Sequence, residues 1–142
     1  MKKLLLLACL IPFLFACGGI PTVCDKITEP SIFCDLSKKA NVRFEDVGNG
    51  LIIANAVAIG EGIYTKEQAL KVMKELKLFM ADPVTYAAFK AEVYLKMDKY
   101  PGLLLVAELY LGQFSGLNQP IYAADRTLII GWLDQQIKIL GG

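Results

Sequence analysis

Between Thr65 and Met80 the chain carries a pattern that only a helix buried on one side satisfies. Ala69, Val72, Met73, Leu76, Phe79 and Met80 recur three and four residues apart, the spacing at which side chains share one helical face. Lys66, Glu67, Lys71, Lys74, Glu75 and Lys77 cover the remainder. Thr65 and Gln68 stand in capping-box register at the start, and Glu67 with Lys71 forms a favourable pair four residues apart. An apolar stripe of this kind has to be covered by other elements of the same chain. The rest of the sequence therefore has to supply partners, and most of it reads as further helices.

Pro30 reads as the first position of a helix over Ser31 to Ala40, with Ile32, Phe33, Leu36 and Ala40 on one face. Asn41 to Phe44 reads as a turn. Glu45 and Asp46 then open a second helix, where negative charge suits the dipole. It runs into Leu51 to Ile59, which is apolar all round. β-Branched content permits a strand there, but its Ala and Leu residues and its flanks favour a helix. Gly48 and Gly50 weaken its first turns or permit close packing, and Gly60 and Gly62 end it. Asp82 and Pro83 read as the cap and first residue of a helix reaching about Lys99. Its small stripe (Val84, Ala87, Ala88, Ala91, Leu95) and larger stripe (Tyr86, Phe89, Val93, Met97) imply contacts on two sides. Tyr100-Pro101-Gly102 reads as a break, Leu103 to Phe114 as an almost wholly apolar helix, and Ser115 to Tyr122 as a loop. Asp125 reads as the cap of a last helix bearing Leu128, Ile129, Trp132, Leu133, Ile137 and Leu140. No segment repeats and no linker divides the chain. The expectation is a single all-α domain over residues 29–142, a compact bundle of five or six short helices. The two most apolar helices (51–59 and 103–111) are expected at its centre.

The first residues have a different logic. Lys2 and Lys3 precede an apolar run from Leu4 to Phe15, broken only by Pro12, and Ala16 is a small residue at its exit. This is the composition of a secretory signal peptide. The run falls short of the about 20 residues a membrane-spanning helix needs. Leu14-Phe15-Ala16-Cys17 resembles the lipobox of bacterial lipoproteins. The resemblance covers residues 1–18 and implies a diacylglyceryl thioether on Cys17, cleavage between Ala16 and Cys17, and acylation of the new amino terminus. It divides the chain into a signal peptide (1–16), a lipidated tether (17–28) and the helical domain, held to the membrane through the lipid on Cys17. Gly18 in place of Asp after that cysteine implies the periplasmic face of the outer membrane in enteric-type bacteria. Leu6-Leu7-Ala8-Cys9 fits the pattern too, but leaves only Leu4 to Ala8 as an apolar core. A plain signal peptide or an uncleaved anchor are the alternatives.

Loss of residues 1–16 removes Lys2 and Lys3, so 15 basic side chains become 13 against 14 acidic. So balanced a charge provides no field to gather nucleic acid. Of the four cysteines, Cys9 leaves with the leader and Cys17 is lipidated. Cys24 and Cys34 remain as a pair for a disulfide in an oxidising compartment. With no histidine in the chain, two cysteines do not complete a tetrahedral metal shell, and no cofactor or metal is expected.

The lack of histidine also removes the commonest general base and the hydroxyl- or thiol-histidine nucleophiles. Gly48-Asn49-Gly50 lacks the remainder of a nucleotide fingerprint. The surviving candidates are Glu61, between two glycines at a helix exit, Glu108, the lone charge of an apolar helix, and Asn55, the polar intruder in Leu51 to Ile59. Each also has a structural reading: a solvated turn residue, a carboxylate facing water or paired with Arg126 or a lysine, and a buried amide bonded to backbone or to another helix end. Tyr110, Phe114, Tyr122 and Trp132 are expected to cluster near the last loop. The leading expectation is a non-enzymatic lipoprotein that binds an envelope protein partner. Its alternatives are a binder of an apolar ligand, a cell-wall hydrolase using Glu61 or Glu108, and a phage- or plasmid-encoded lipoprotein that blocks a receptor.

Overall fold

The computed structural model describes residues 22–99 and 101–142. The leader, Cys17 and the chain up to Pro21 lie outside the described residues. Among those described there are seven helices and no strand: α1 (Val23–Lys26), α2 (Ile32–Ala40), α3 (Phe44–Gly60), α4 (Lys66–Phe79), α5 (Tyr86–Met97), α6 (Pro101–Leu111) and α7 (Ala123–Ile139). The all-α bundle expected from periodicity is the fold.

The fourth helix begins as its sequence dictates. The Thr65 hydroxyl accepts from the Gln68 amide at 3.2 Å, and the Gln68 side chain accepts from the Thr65 amide at 2.9 Å. Other boundaries differ from expectation. Pro30 lies outside α2. Ser31 is the cap, and its hydroxyl accepts from the Cys34 amide at 3.0 Å. Asp82-Pro83 does not start α5. Thr85 is the cap and accepts from the Ala88 amide at 3.1 Å. The amides of Tyr86 and Ala87 donate to the carbonyls of Gln119 and Leu117 in the loop before α7. Those carbonyls satisfy donors that a helix start leaves open, and that long-range supply sets the start of α5 three residues later than the local signal. Pro101 begins α6 instead of breaking the chain, because a proline lacks only an amide that a first-turn residue does not need. The tether expected to run to Thr28 contains α1, which packs on α3 and buries Cys24. Cys24 is joined to Cys34 of α2, with Cα atoms 5.4 Å apart.

Five helices form a ring. α7 packs on α4, α4 on α5, α5 on α6 and α6 on α3. Two side-chain links close the ring between α3 and α7: Trp132 Nε1 donates to the Gly48 carbonyl at 3.3 Å, and Asn55 Nδ2 donates to Gln136 Oε1 at 3.4 Å. A Cβ on residue 48 would sit 3.1 Å from the Trp132 ring, so glycine is what lets that indole lie on α3. Helix α2 lies across α3 and α6. Its Phe33 meets Phe44, Tyr110 and Phe114 at ring separations of 5.7, 4.8 and 5.3 Å, within the range of favourable aromatic pairs. The aromatic cluster thus contains Tyr110, Phe114 and Tyr122 together with Phe33, Phe44 and Tyr86, but not Trp132, which is held apart on α3.

The two most apolar helices are not at the centre. α3 and α6 stand side by side in the ring, each with an outer face open. Ile52, Ile53 and Val57 of α3 are half-buried and Ala56 is exposed, while Leu105 and Leu109 of α6 are 78% and 36% exposed. The innermost side chains come from elsewhere: Tyr86, Phe114, Met73, Met80 and Leu133.

One polar group ties three of these elements together. Asp125 is fully buried. It lies in the first turn of α7, whose cap is Tyr122 and not Asp125. Its carboxylate accepts from the Ser31 hydroxyl, from the Ile32 amide at 2.8 Å and from the Tyr86 hydroxyl. The Tyr86 oxygen in turn accepts from the Tyr122 amide at 3.1 Å. Burial and the bond to Asp125 push the Tyr86 phenol well above the ordinary tyrosine range. Tyr110 bonds to the Ser37 hydroxyl at 2.7 Å, and burial pushes it up to about 12.

Removing a buried carboxylate strands its donors, a penalty of about 1–3 kcal/mol for each such group. Asp125→Ala is therefore expected to lower unfolding stability by at least about 3 kcal/mol in urea titrations, with Asp125→Asn losing less. A phenol whose folded pKa is raised favours the folded state below its unfolded pKa of 10.0, and that contribution disappears as pH rises through the folded value. Stability should accordingly fall between pH 10.0 and about 12. Tyr110 and Tyr86 should ionise well above the ordinary tyrosine range, read from tyrosinate absorbance; ionisation of every tyrosine near pH 10.0 would contradict the burial of these two.

Candidate functional site

The interior of the ring is incompletely filled. A cavity of about 100 Å³ lies between α3, α4, α5, α6 and α7, with Phe33 of α2 contributing to one wall. The lining is carbon almost throughout: Val47, Leu51, Met73, Val93, Tyr110 and Leu133 come from five helices. Its origin can be traced to residue size. Gly48, Val47, Val93 and Ala107 present little volume toward it, and Trp132 is drawn toward Gly48 by its hydrogen bond. Phe44, Leu51, Ala107 and Trp132 line the cavity yet keep partial solvent exposure. Three of these four belong to α3 and α6.

Asn55 provides the polar exception. It is buried, lines the cavity, accepts from the Tyr64 hydroxyl and donates to Gln136. Gln136 is equally buried, and its Nε2 has no hydrogen-bond partner. The expected bond of Asn55 to another helix is therefore present, and it closes α3 against α7 beside the void.

The two carboxylates lie in other surroundings. Glu108 is exposed and accepts from the Tyr94 hydroxyl across the α5–α6 contact. Its partner is thus neither Arg126 nor a lysine. Arg126 instead donates to the carbonyls of Ala81 and Asp82 at 2.9 and 3.1 Å, capping the end of α4. Glu61 is the exposed C-terminal cap of α3. Neither carboxylate is enclosed by apolar side chains, the condition under which a carboxyl becomes a general acid near neutral pH. Glu61, Glu108 and Asn55 occupy three separate environments and do not converge on one site. Among the described residues no group of His, Cys, Asp or Glu is arranged to hold a metal ion, and no helix is long and apolar enough to cross a membrane.

Asn55 apart, the cavity residues were not singled out as a site by sequence reasoning. The available signal was the pairing of a small and a large stripe on α5 with two almost uncharged helices. No protein-family model, curated protein or solved structure matches this chain.

Asn55→Leu should cost about 1–3 kcal/mol, because it removes the acceptor of the buried Tyr64 hydroxyl and the donor to Gln136 Oε1. Glu61→Gln and Glu108→Gln should each stay within about 0.5 kcal/mol of the parent, as surface changes do. Chemical denaturation of the three variants separates a structural Asn55 from the two surface carboxylates.

Proposed function

We propose that this chain is a membrane-anchored, non-catalytic lipoprotein whose helical domain holds a small apolar ligand inside the ring of α3 to α7. The cavity carries this reading. An unfilled apolar space costs about 24 cal/mol per Å³, so leaving about 100 Å³ empty costs the fold about 2 kcal/mol. A ligand without charge recovers those contacts. An apolar cavity of about 150 Å³ admits benzene and stays dry without it, which sets the scale here to one small ring or a few methylenes. The carboxylate-dependent hydrolase has no comparable support, since Glu61 and Glu108 are both exposed.

The anchor rests on Leu14-Phe15-Ala16-Cys17. One acyl chain binds a bilayer marginally, whereas two or more hold stably, so lipidated Cys17 keeps the domain at the envelope. Gly18 after it favours the periplasmic face of the outer membrane.

Trp132 is the single tryptophan and stands in the cavity wall. Titration of the purified protein with benzene should change its emission saturably and raise the melting temperature, as any ligand that binds only the folded state does. Val93→Phe, which fills the space from α5, should abolish both effects while leaving the helical circular dichroism intact. An organic extract of protein taken from bacterial envelopes should contain a small uncharged molecule in near-stoichiometric amount. No saturable response in the parent, together with an empty extract, would rule the binding reading out. Cys17→Ser should move the protein from the membrane to the soluble fraction; continued sedimentation with membranes would mean that the anchor lies elsewhere.

A further inference from the structure

We infer that the outer face shared by α3 and α6 lies on the phospholipid leaflet that carries the anchor, so that the domain docks on the membrane in one orientation. The inference rests on the lipid-anchor reading and goes beyond it, because an anchor alone leaves the domain free to turn.

Three observations converge. The first is composition. From Val47 to Gly60, α3 carries no charged residue, and α6 carries only Glu108, which is turned to Tyr94 of α5. Val106 of α6 lies at Gly50 of α3, and Phe44 of α3 meets Tyr110 of α6. The two helices therefore run antiparallel and side by side. Ile53 and Val57 of α3, and Leu105 and Leu109 of α6, are pairs four residues apart, so each pair forms a stripe along its own helix. None of Ile52, Ile53 and Val57 belongs to the apolar core. Leu105 and Leu109 are exposed. Apolar surface presented in this way by neighbouring helices marks a contact with something apolar.

The second is the position of the anchor. The Val23 amide donates to Glu45 in the first turn of α3, and α1 packs on α3. The chain thus enters the folded domain at one end of α3. Five peptide units separate Cys17 from Thr22, a reach of at most about 17 Å when fully extended. That is less than the about 25 Å length of a 17-residue helix such as α3. A lipid on Cys17 therefore keeps that end of α3 close to the bilayer.

The third is the distribution of charge. The main partners of α4 in the ring are α5 and α7, so it lies across the ring from the apolar pair. It carries Lys66, Glu67, Lys71, Lys74, Glu75 and Lys77. Glu75 pairs with Lys96 of α5 at 2.8 Å, and Lys77 pairs with Asp134 of α7. Apart from the exposed Leu78, the α4 side is rich in charge and stands opposite an uncharged side suited to lipid, the division that interfacial proteins show.

Nitroxide labels on the acylated, full-length mature protein in phosphatidylcholine vesicles test the orientation. Leu105→Cys and Ala56→Cys label the inferred contact face, and Lys71→Cys labels α4. All three positions are exposed, so the fold tolerates them. The native cysteines of the mature chain are joined in the disulfide or, on the anchor reading, lipidated. Labels at 105 and 56 should be relaxed several-fold more by oxygen, which concentrates in the bilayer, than by a water-soluble nickel chelate, with the ratio reversed at 71. Equal nickel access at all three positions in vesicle-bound protein would overturn the inference while leaving the anchor intact. Shielding of 105 and 56 from both agents, with spin–spin broadening between copies, would overturn it in favour of a second copy of the chain on this face. Failure of the unlabelled parent to float with the vesicles would refute the anchor, and the docked orientation with it.

Discussion

The buried carboxylate of Asp125 holds three otherwise separate beginnings together. It receives the Ser31 hydroxyl and the Ile32 amide at the start of α2, the Tyr86 hydroxyl at the start of α5, and belongs itself to the first turn of α7. Its partners are neutral donors, and charge-assisted bonds of this kind are about twice as strong as neutral ones. The arrangement also keeps Tyr86 protonated, since a phenolate beside a carboxylate in the interior would be repelled. Everything on the α2 side depends on this grip. Phe33 lies one residue beyond Ile32 and reaches Phe44, Tyr110 and Phe114, and Cys34 fastens α1 to the same helix.

With α2, α5 and α7 fixed at one point, the remaining helices close a ring and do not collapse onto a single centre. The ring tolerates α3 and α6 at its edge because their inward residues alone supply the core contacts. It also leaves a space, because the residues facing inward from α3, α5 and α6 include Val47, Gly48, Val93 and Ala107. Interiors of proteins are packed densely enough that a void of this size is a measurable cost. A ligand in that space and a lipid leaflet against the outer face of α3 and α6 would give both unspent apolar surfaces, the inner and the outer, a partner.

Legibility in the sequence varied with the range of the forces involved. The Thr65 capping box and the stripe behind it were readable, because every contact that defines them lies within four residues. The Cys24–Cys34 pair was readable by elimination among the cysteines. Thr85 as the start of α5 was not. Asp82-Pro83 has the stronger local signature, and the deciding donors and acceptors come from Leu117 and Gln119. Asp125 looked like a cap because it precedes an apolar helix, yet its partners lie 39 to 94 residues away. Asn55 was recognised as a polar intruder, but Tyr64 and Gln136 as its partners depend on how α3 meets α7. The lone charge of α6 was compatible with an enclosed carboxylate or with one facing water, and the placement of α6 at the ring's edge puts Glu108 in water beside Tyr94.

By itself, then, the sequence determined the helical class, the extent of α4, the cysteine pair and the chemical character of the leader, because periodicity, capping and residue inventory are local or compositional. Tertiary structure alone decided which apolar helices face inward, which polar groups are buried, and that the middle of the ring is left open. Those outcomes depend on residue volumes summed across five helices and on hydrogen bonds between segments far apart in the chain, and no local pattern encodes either.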